Sequence, residues 1–279
     1  MNNVKFSVLM AVYINDSAEF LNDAIVSIYE NQSLKPAEIV IVKDGPVNNE
    51  ILSILSKFNS HYPNIFKIID LPINLGLGEA LNLGLKECNY EIVARMDSDD
   101  ISTPDRFELQ IAFLSKNHSI DVVGSSVEEF NSQPGDLAQF RVLPQGGDKL
   151  ARYSKLRSPL NHPTIVFRKS SVLKAGGYNG KIRLFEDYSL FIRMLANGSK
   201  FYNFDKSLLH FRIGDGINSI KRRSGSKYLH SEIKYLKLAY RIKHLSKFEV
   251  AYYILIKFPL RFMPTKLTIF FYKNVLRSK

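Results

Sequence analysis

Hydrophobic residues in the first two thirds of the chain follow two alternating patterns. Continuous apolar runs lie within Phe6–Val12, Glu38–Val42, Ile65–Ile69 and Ile92–Met96, each as long as a strand with both faces covered. Between these runs, apolar residues recur every three or four positions, as they do in amphipathic helices. This alternation predicts an α/β fold, with a mostly parallel sheet flanked by helices.

The intervening segments carry helix-start signals. Asp16 and Glu19 have the spacing of a capping box before the first helix, and Pro104 follows Ser102 and Thr103 in a second start signature. Residues 131–150 are polar and contain prolines and glycines, which predicts a loop. Helices are expected at 20–28, 48–60, after the loop Asn74–Asn82, at Pro104–Lys116 and at 188–196, and further strands at 121–127, 165–167, 201–204 and 208–213.

The charge of the 279-residue chain is unevenly distributed. Residues 221–279 contain 15 Lys and Arg but only two Glu, a balance of +13, whereas the whole chain carries +11 and residues 1–220 therefore −2. Gly214 and Gly216 precede this basic segment. We predict an α/β domain at residues 1–215 and a basic, aromatic-rich helical extension at 216–279. Such a surface indicates an anionic partner, either anionic lipid or nucleic acid.

The composition excludes several classes of protein. A hydrophobic content of 45% with 12% aromatic residues excludes a disordered chain. The single cysteine, Cys88, cannot form an internal disulfide, which fits a reducing cytosol. No run of about 18 apolar residues predicts a membrane span, and Phe6–Val12 is expected to be a strand rather than part of a signal peptide.

Three acidic residues stand where the fourth predicted strand ends. The run Ile92–Met96 is followed by Asp97, Asp99 and Asp100. Ligands of open α/β sheets bind beyond the carboxyl ends of strands. The Asp-x-Asp spacing suits Mg²⁺ or Mn²⁺, because two carboxylates can share one ion while a diphosphate completes its coordination. The alternative is a solvated acidic turn that caps the helix at Pro104.

Other polar residues also follow predicted strands. Tyr13, Asp44 and Asn74 come after the first three strands and should cluster with the acids at one edge of the sheet. Gly76 could approach a phosphate at a helix N-terminus or could simply form a turn. Neither a Gly-x-Gly-x-x-Gly motif after the first strand nor a P-loop motif is present, so a dinucleotide-binding or P-loop fold is disfavoured.

Two candidate sites lie later in the chain. His162, within Asn161-His-Pro-Thr164, is either a metal or diphosphate ligand or a surface histidine. Glu186 and Asp187 open a helix, where acids ordinarily complement the helix dipole. A carboxylate facing a sugar-binding cleft could instead act as a general base on an attacking hydroxyl.

The order of these motifs resembles that of family 2 glycosyltransferases of the GT-A fold, over residues 5–215. Phe211–Gly214, Arg261–Pro264 and the basic tail resemble the bacterial subgroup that builds O-antigen, capsule or exopolysaccharide. The matching segments are Ser7–Tyr13, Val40–Gly45, Asn74–Gly76, Ala94–Asp100, His162–Thr164 and Glu186–Tyr188.

The resemblance implies a role for each matching residue. Asp187 would be the catalytic base, and Asp97 and Asp99 would meet the ribose and the metal, with Asp99 the direct ligand. Lys43 departs from the family pattern, which often has a second acid there, so Asp44 stands alone. The substrate-binding residues implied are Ala11, Tyr13, Asp44, Asn74, Gly76, Arg95, Asp97, His162 and Glu186.

The function implied is metal-dependent inverting hexosyl transfer from a nucleotide-sugar, expected to be a UDP-sugar, with Mn²⁺ or Mg²⁺. The acceptor would be an undecaprenyl-diphosphate-linked saccharide, with the enzyme peripheral at the cytoplasmic face of the inner membrane and without a nucleic-acid partner. Basic amphipathic helices with aromatics suit a membrane interface, although the aromatics could instead pack on the catalytic domain. Two alternatives stay open: a nucleic-acid-binding protein that grips phosphates with its tail, and a metal-dependent nucleotidyltransferase.

Overall fold

A nine-stranded sheet forms the centre of the protein in the computed structural model, which describes residues 4–214 and 225–262. The first four strands match the four continuous apolar runs of the sequence. The strands are β1 Phe6–Val12, β2 Glu38–Lys43, β3 Phe66–Asp70, β4 Ile92–Met96, β5 Ile101–Ser102, β6 Val122–Phe130, β7 Gln139–Arg141, β8 Val166–Arg168 and β9 Phe201–Arg212.

The strands follow the order β3-β2-β1-β4-β8-β6-β9-β5, with β7 paired to β6. Strands β3, β2, β1 and β4 are parallel; β8 runs against β4 and β6, and β9 runs parallel to β6. Six of the nine strands therefore point the same way. The expected mostly parallel sheet is confirmed, and the carboxyl ends of β1, β2, β4 and β9 face the same edge.

Helices cover both faces of the sheet. Along β1, Val8 and Met10 belong to one apolar core and Leu9 to the other, because successive side chains of a strand point to opposite faces. The helices are α1 Ala18–Ile28, α2 Asn49–His61, α3 Leu77–Glu87, α4 Arg106–Lys116, α5 Gly147–Tyr153, α6 Lys169–Lys174, α7 Glu186–Ala196, α8 Gly225–Arg241, α9 Lys247–Lys257 and α10 Pro259–Phe262, with a 3-10 turn at His162–Thr164.

Three local predictions are wrong. Ser17, not Asp16, caps α1, because its hydroxyl accepts a hydrogen bond from the Phe20 amide. Residues 201–212 form one strand instead of two. The polar residues between the two predicted strands form a β-bulge, with register shifts opposite Ser125 and Ser126, and not a turn. The predicted loop at 131–150 contains β7 and the start of α5.

The C-terminal helices pack on α7. The Tyr235 ring of α8 stacks on Tyr188 of α7 with centroids 4.3 Å apart. Glu232 is fully buried, and its carboxylate accepts hydrogen bonds from the Tyr253 hydroxyl at 3.0 Å and from Arg261 at 2.7 and 2.9 Å. Within the predicted extension, residues 225–262 form α8, α9 and α10, and its parts at 216–224 and 263–279 lie outside the described residues.

None of the helices that the structure describes combines the length and the hydrophobicity that crossing a bilayer requires.

We predict that Glu232→Gln lowers the free energy of unfolding by about 3 kcal/mol, because it leaves the Arg261 guanidinium buried without its counter-charge. The matched control is Lys67→Gln, which breaks the Lys67–Glu87 pair at 2.5 Å, whose side chains are each nearly half exposed. That change should cost less than about 1 kcal/mol. Urea unfolding measures both; equal losses would contradict the structural role of Glu232.

Candidate active site

Three carboxylates converge beyond the carboxyl end of β4. One oxygen from each of Asp97, Asp99 and Asp100 lies within 4.8 Å of the other two. Asp97 is half-buried, Asp99 is exposed and Asp100 is buried. Oxygen atoms from carboxylates at this spacing are the donor set of a hard divalent cation. Asp99 is the carboxylate of the three that a ligand reaches most easily.

Arg212, at the end of β9, holds this acidic turn in place. Its guanidinium Nε donates to the Asp99 carbonyl oxygen at 2.9 Å, and its backbone amide donates to the Asp100 carboxylate at 2.8 Å. The guanidinium also lies over the rings of Phe20 and Phe130, at 3.8 and 4.5 Å from their centroids. The turn is therefore fixed by a strand that is distant in sequence but parallel in the sheet.

Arg95 lies buried beneath the acidic turn. Its Nη2 donates to the Asp97 carboxylate, whereas its Nε and Nη1 are buried without a hydrogen-bond partner. Burial would lower the pKa of the guanidinium, but the Asp97 carboxylate outweighs this and raises the pKa. Arg95 therefore stays charged, with two donor groups unsatisfied.

A fourth carboxylate, Asp16, joins the edge from the end of β1. It accepts hydrogen bonds from the Tyr13 amide at 3.1 Å and from the Ser98 hydroxyl at 2.9 Å. Burial and the nearby Asp97 raise the pKa of Asp16 to about 6. Partial loss of hydration, together with Asp97 and Asp16, raises the pKa of Asp99 to about 6 as well. Burial and the crowding of carboxylates at this edge therefore make Asp16 and Asp99 easier to protonate than a carboxylate in water.

Asp44 shapes the loop that follows β3. Its two carboxylate oxygens accept from the amides of Leu75 at 2.6 Å and Gly76 at 2.9 Å, and its carbonyl accepts from the Asn74 side chain. Gly45 has a φ of +87°, and a Cβ there would lie 2.7 Å from the Asn74 amide nitrogen. Only glycine therefore allows the two loops to approach this closely.

His162 and Tyr178 form a buried pair. The His162 Nε2 lies 3.0 Å from the Tyr178 hydroxyl, and the Asn82 side chain bonds both the amide and the carbonyl of Tyr178 at 2.7 Å. Burial and the Arg95 charge lower the pKa of His162 well below its usual value, so the imidazole is neutral. His162 is not the surface histidine that its loop position alone would favour.

Glu186 and Asp187 occupy the first turn of α7, as predicted. Burial, followed by the Asp187 charge, raises the pKa of Glu186 to about 7. Its Oε2 atom is buried without a partner, and a methyl at Gly78 of α3 would lie 3.3 Å from its Cβ. The start of α7 therefore packs against the start of α3.

Electrostatic effects connect the two groups of acids. The pKa of the Tyr178 phenol is raised by burial and also by Asp187, Asp97 and Glu186, while Arg95 lowers it. The Asp97 and Asp187 carboxylates thus act on the same buried hydroxyl. Ala11 and Tyr13 lie at the end of β1, where the Val12 carbonyl accepts from the Asp44 amide at 2.8 Å. Most of the predicted site residues lie at or just beyond the carboxyl ends of β1 to β4, whereas His162 precedes β8 and the acidic pair opens α7.

The sequence patterns gave no site role to Asp16, Tyr178, Asn82 or Arg212. The spacing of Asp16 and Glu19 predicts a helix cap at Asp16. Tyr178 follows Gly176-Gly177, a pair that reads only as the end of a helix. Arg212 lies within Phe211–Gly214, a segment noted for its resemblance to the bacterial subgroup; its contact with the acidic turn depends on the pairing of β6 with β9, which the local pattern does not encode.

A mostly parallel sheet with acids at the end of β4 and a second acidic pair on α7 defines a GT-A glycosyltransferase. Solved structures of similar fold include S. aureus TarS 1-349 (TM-score 0.63, 20% identity, 95% of this chain and 77% of that chain). The same protein in complex with UDP-GlcNAc gives a TM-score of 0.63 at 19% identity, over 95% and 78% of the two chains. At this identity the likeness supports the fold.

The chain belongs to glycosyl transferase family 2, whose family model matches residues 7–177. An E. coli relative, UDP-Gal:alpha-D-GlcNAc-diphosphoundecaprenol beta-1,3-galactosyltransferase, is 41% identical over 98% of this chain and 97% of its own length. Amylovoran biosynthesis glycosyltransferase AmsE of Erwinia amylovora is 33% identical over 96% and 98%. The protein is therefore a glycosyltransferase, and its relatives include enzymes named for amylovoran and O-antigen biosynthesis.

We predict that His162 makes stability pH-dependent below pH about 6.5. Because the folded pKa is lowered, the unfolded chain takes up the proton first as pH falls, and stability present above pH 6.5 is lost. As the pH falls below 6.5, the free energy of unfolding of the wild type should decrease by up to about 1.4 kcal/mol per pH unit more than that of His162→Gln. Urea unfolding at pH 7.5 and 5.5 measures this. His118→Gln, at an exposed position, should behave as wild type; parallel pH profiles for wild type and His162→Gln would contradict the buried neutral imidazole.

Proposed function

We propose that the protein transfers a hexosyl group from a UDP-sugar to a saccharide on an undecaprenyl-diphosphate carrier, with inversion at the anomeric carbon. The observation that carries the proposal is the cluster of carboxylate oxygens from Asp97, Asp99 and Asp100, which lie within 4.8 Å of one another beyond β4. Asp97 and Asp187 both raise the pKa of Tyr178, which supports a common site for the two groups of acids. The proposal is supported by the E. coli relative, whose name specifies a UDP-sugar donor and a diphosphoundecaprenol acceptor.

The donor nucleotide would lie over the carboxyl ends of β1 and β2, against Ala11 and Tyr13. Asp44 gives both carboxylate oxygens to the Leu75 and Gly76 amides, so its contribution would be to shape the Asn74–Gly76 wall of the pocket. Arg95 would attract the diphosphate from beneath, since its buried charge has two unsatisfied donor groups. Its ion pair with Asp97 fixes the direction of that charge.

The acids at the end of β4 fit a divalent cation. Their carboxylate oxygens cluster within 4.8 Å, and Asp100 Oδ2 is buried without a partner. We assign Asp99 as the direct ligand of Mn²⁺ or Mg²⁺ and Asp97 to the ion and the ribose. Bound there, the ion would neutralise charge on the departing diphosphate. Arg212 keeps the carboxylates in position for this role through its contacts with Asp99 and Asp100.

Asp187 would take the proton from the acceptor hydroxyl as that oxygen attacks the anomeric carbon from the face opposite the diphosphate. One displacement inverts the configuration, and no sugar is linked covalently to the protein. Glu186, with a pKa of about 7, would bind the acceptor or donor sugar beside it. His162 would hold the Tyr178 hydroxyl between the two groups of acids.

The enzyme would work at a membrane surface, because its acceptor is anchored by a lipid. We place it at the cytoplasmic face of the inner membrane as a peripheral protein, with the catalytic domain at residues 1–215 and the basic extension towards the lipid. Nucleic acid is not an expected partner. A salt-dependent affinity of the full chain for RNA or DNA would favour the nucleic-acid alternative, and pyrophosphate release from a nucleoside triphosphate would favour a nucleotidyltransferase.

We predict that Asp187→Asn leaves UDP affinity within about twofold of wild type while transfer falls by at least a hundredfold, because a general base contributes about 10²–10⁴ in rate. The assay offers UDP- and GDP-sugars with Mn²⁺ and a GlcNAc-diphosphate-lipid acceptor, and product is read by mass spectrometry. Asp148→Asn, which removes an acid from the first turn of α5, is the matched control and should keep full activity.

An active Asp187→Asn variant would contradict the assignment of the base. A wild-type protein that transfers none of the sugars would contradict the donor class.

We predict that Asp99→Asn weakens Mn²⁺-dependent UDP binding at least tenfold, because an amide is a poorer ligand than a carboxylate for a hard cation. Calorimetric titration with UDP, with Mn²⁺ and with chelator, separates the metal-dependent part of the affinity. Asp105→Asn is the control, since this nearby acid bonds Lys206 and Thr103 outside the cluster. Unchanged Mn²⁺ dependence in Asp99→Asn would remove Asp99 from the metal site.

A further inference from the structure

The outer face of α9 is apolar and exposed to solvent. Phe248 is 88% exposed, Tyr252 54% and Leu255 74%. These residues stand at i, i+4 and i+7, so they lie along one face of the helix. Ile256, at the border of this face, is also more than one third exposed. An exposed apolar stripe of this kind marks an interaction surface rather than an ordinary solvated helix.

This face is not the one that attaches α9 to the protein. The opposite face carries Tyr253, which is buried and donates to Glu232 at 3.0 Å. Val250 and Phe258 pack with it against the apolar core that α7 and α8 share. The helix is therefore anchored on one side by apolar contacts and a buried ion-pair network, and its second apolar side faces outward.

Basic residues lie at the N-terminal end of the outer face. Lys247 is exposed in the first turn of α9, and the turn before the helix exposes Lys243. An open cleft at that turn is lined by Tyr240, Arg241, Lys243 and Glu249 among others. Of the two acids in residues 225–262, Glu232 is buried and paired with Arg261, and Glu249 accepts from the Ser246 amide at 2.7 Å and pairs with Lys155 at 3.5 Å. The exposed charge at this end of the face is therefore mainly positive.

Charge distinguishes the occupants that this face could have. A second copy packed by twofold symmetry would bring together two positive surfaces, each with Lys243 and Lys247 exposed. Residues 263–279 of this chain contain four Lys and Arg and no acid, so they would also bring positive charge to a positive surface. An anionic bilayer offers acyl chains for the apolar stripe and lipid phosphates for the lysines.

We propose that the outer face of α9 docks on an anionic bilayer, with Phe248 and Leu255 entering the interface and Lys243 and Lys247 at the headgroup phosphates. The inference rests on the proposed function only in that a lipid-linked acceptor requires the enzyme to reach a membrane. Tyr253 links α9 to Glu232 of α8, and Tyr235 of α8 stacks on α7. Docking would therefore hold Asp187, on the first turn of α7, at a fixed height above the lipid.

The test compares the full-length wild type with Phe248→Ser/Leu255→Ser by co-sedimentation with vesicles of phosphatidylglycerol and phosphatidylcholine. Wild type should bind these vesicles at least tenfold more tightly than vesicles of phosphatidylcholine alone, and the double variant should lose at least tenfold of that affinity. Phe140→Ser, which removes a phenyl ring 60% exposed on β7, is the matched control and should bind as wild type.

Further measurements separate this proposal from the other occupants and from the proposed function. Transfer to a water-soluble acceptor analogue should be unchanged in the double variant, whereas Asp187→Asn should bind vesicles normally and fail to transfer. Unchanged vesicle binding by the double variant would overturn the proposal. A lower melting temperature of the double variant would also overturn it, because it would indicate that another part of the chain covers the face. A wild-type dimer that is lost in the double variant, as measured by light scattering, would overturn it in favour of a second copy.

Discussion

Mutual repulsion among carboxylates is the constraint around which the active edge is built. Two charges 4.8 Å apart repel by roughly 3 kcal/mol at an effective dielectric of 20, and three such carboxylates meet at the end of β4. The Arg95 guanidinium reduces this repulsion through its ion pair with Asp97, and the Arg212 amide of β9 reduces it by donating a hydrogen bond to Asp100. Burial of Arg95 would itself be unfavourable without Asp97. The acidic turn and the buried arginine therefore stabilise each other.

The sheet topology makes this arrangement possible. Strands β4 and β9 are separated by more than 100 residues in sequence, yet both end at the same edge because β6 and β9 return to the direction of β4. Register shifts near Ser125 and Ser126 absorb extra residues of β9, so that the strand stays paired with β6 as far as Arg212, which donates to the Asp99 carbonyl. An interruption that looks like a turn in the sequence is a bulge within one continuous strand.

Most of the fold could be predicted because β1 to β4 are continuous apolar runs and the helices between them are amphipathic. Local ambiguities caused the failures. Asp16 and Ser17 are both suitable N-cap residues for α1. Only the structure shows that Ser17 is the cap and that the Asp16 carboxylate accepts from the Ser98 hydroxyl instead. The strand ends indicated Asp97 and Asp99. Tyr178 was missed because its position depends on the Asn82 clamp across the site, which no local pattern encodes.

The C-terminal helices belong to the catalytic architecture as much as to a surface. Phe185 and Tyr188, on either side of the acidic pair of α7, both stack on Tyr235 of α8 at 5.3 and 4.3 Å. Loss of α8 would expose these rings and free the start of α7. The basic extension therefore cannot be a passive tether, because it forms one wall of the core that holds the acidic pair.

The two acids of α7 differ in a way that bears on which of them takes the acceptor proton. Consecutive residues of a helix point about 100° apart, so Glu186 and Asp187 cannot both face the same direction. Glu186 packs against the Gly78 position of α3, and its Oε2 is buried. A base must present its oxygen to a hydroxyl that arrives from solvent. The buried Oε2 of Glu186 meets this requirement poorly, which favours the proposed assignment of the base to Asp187.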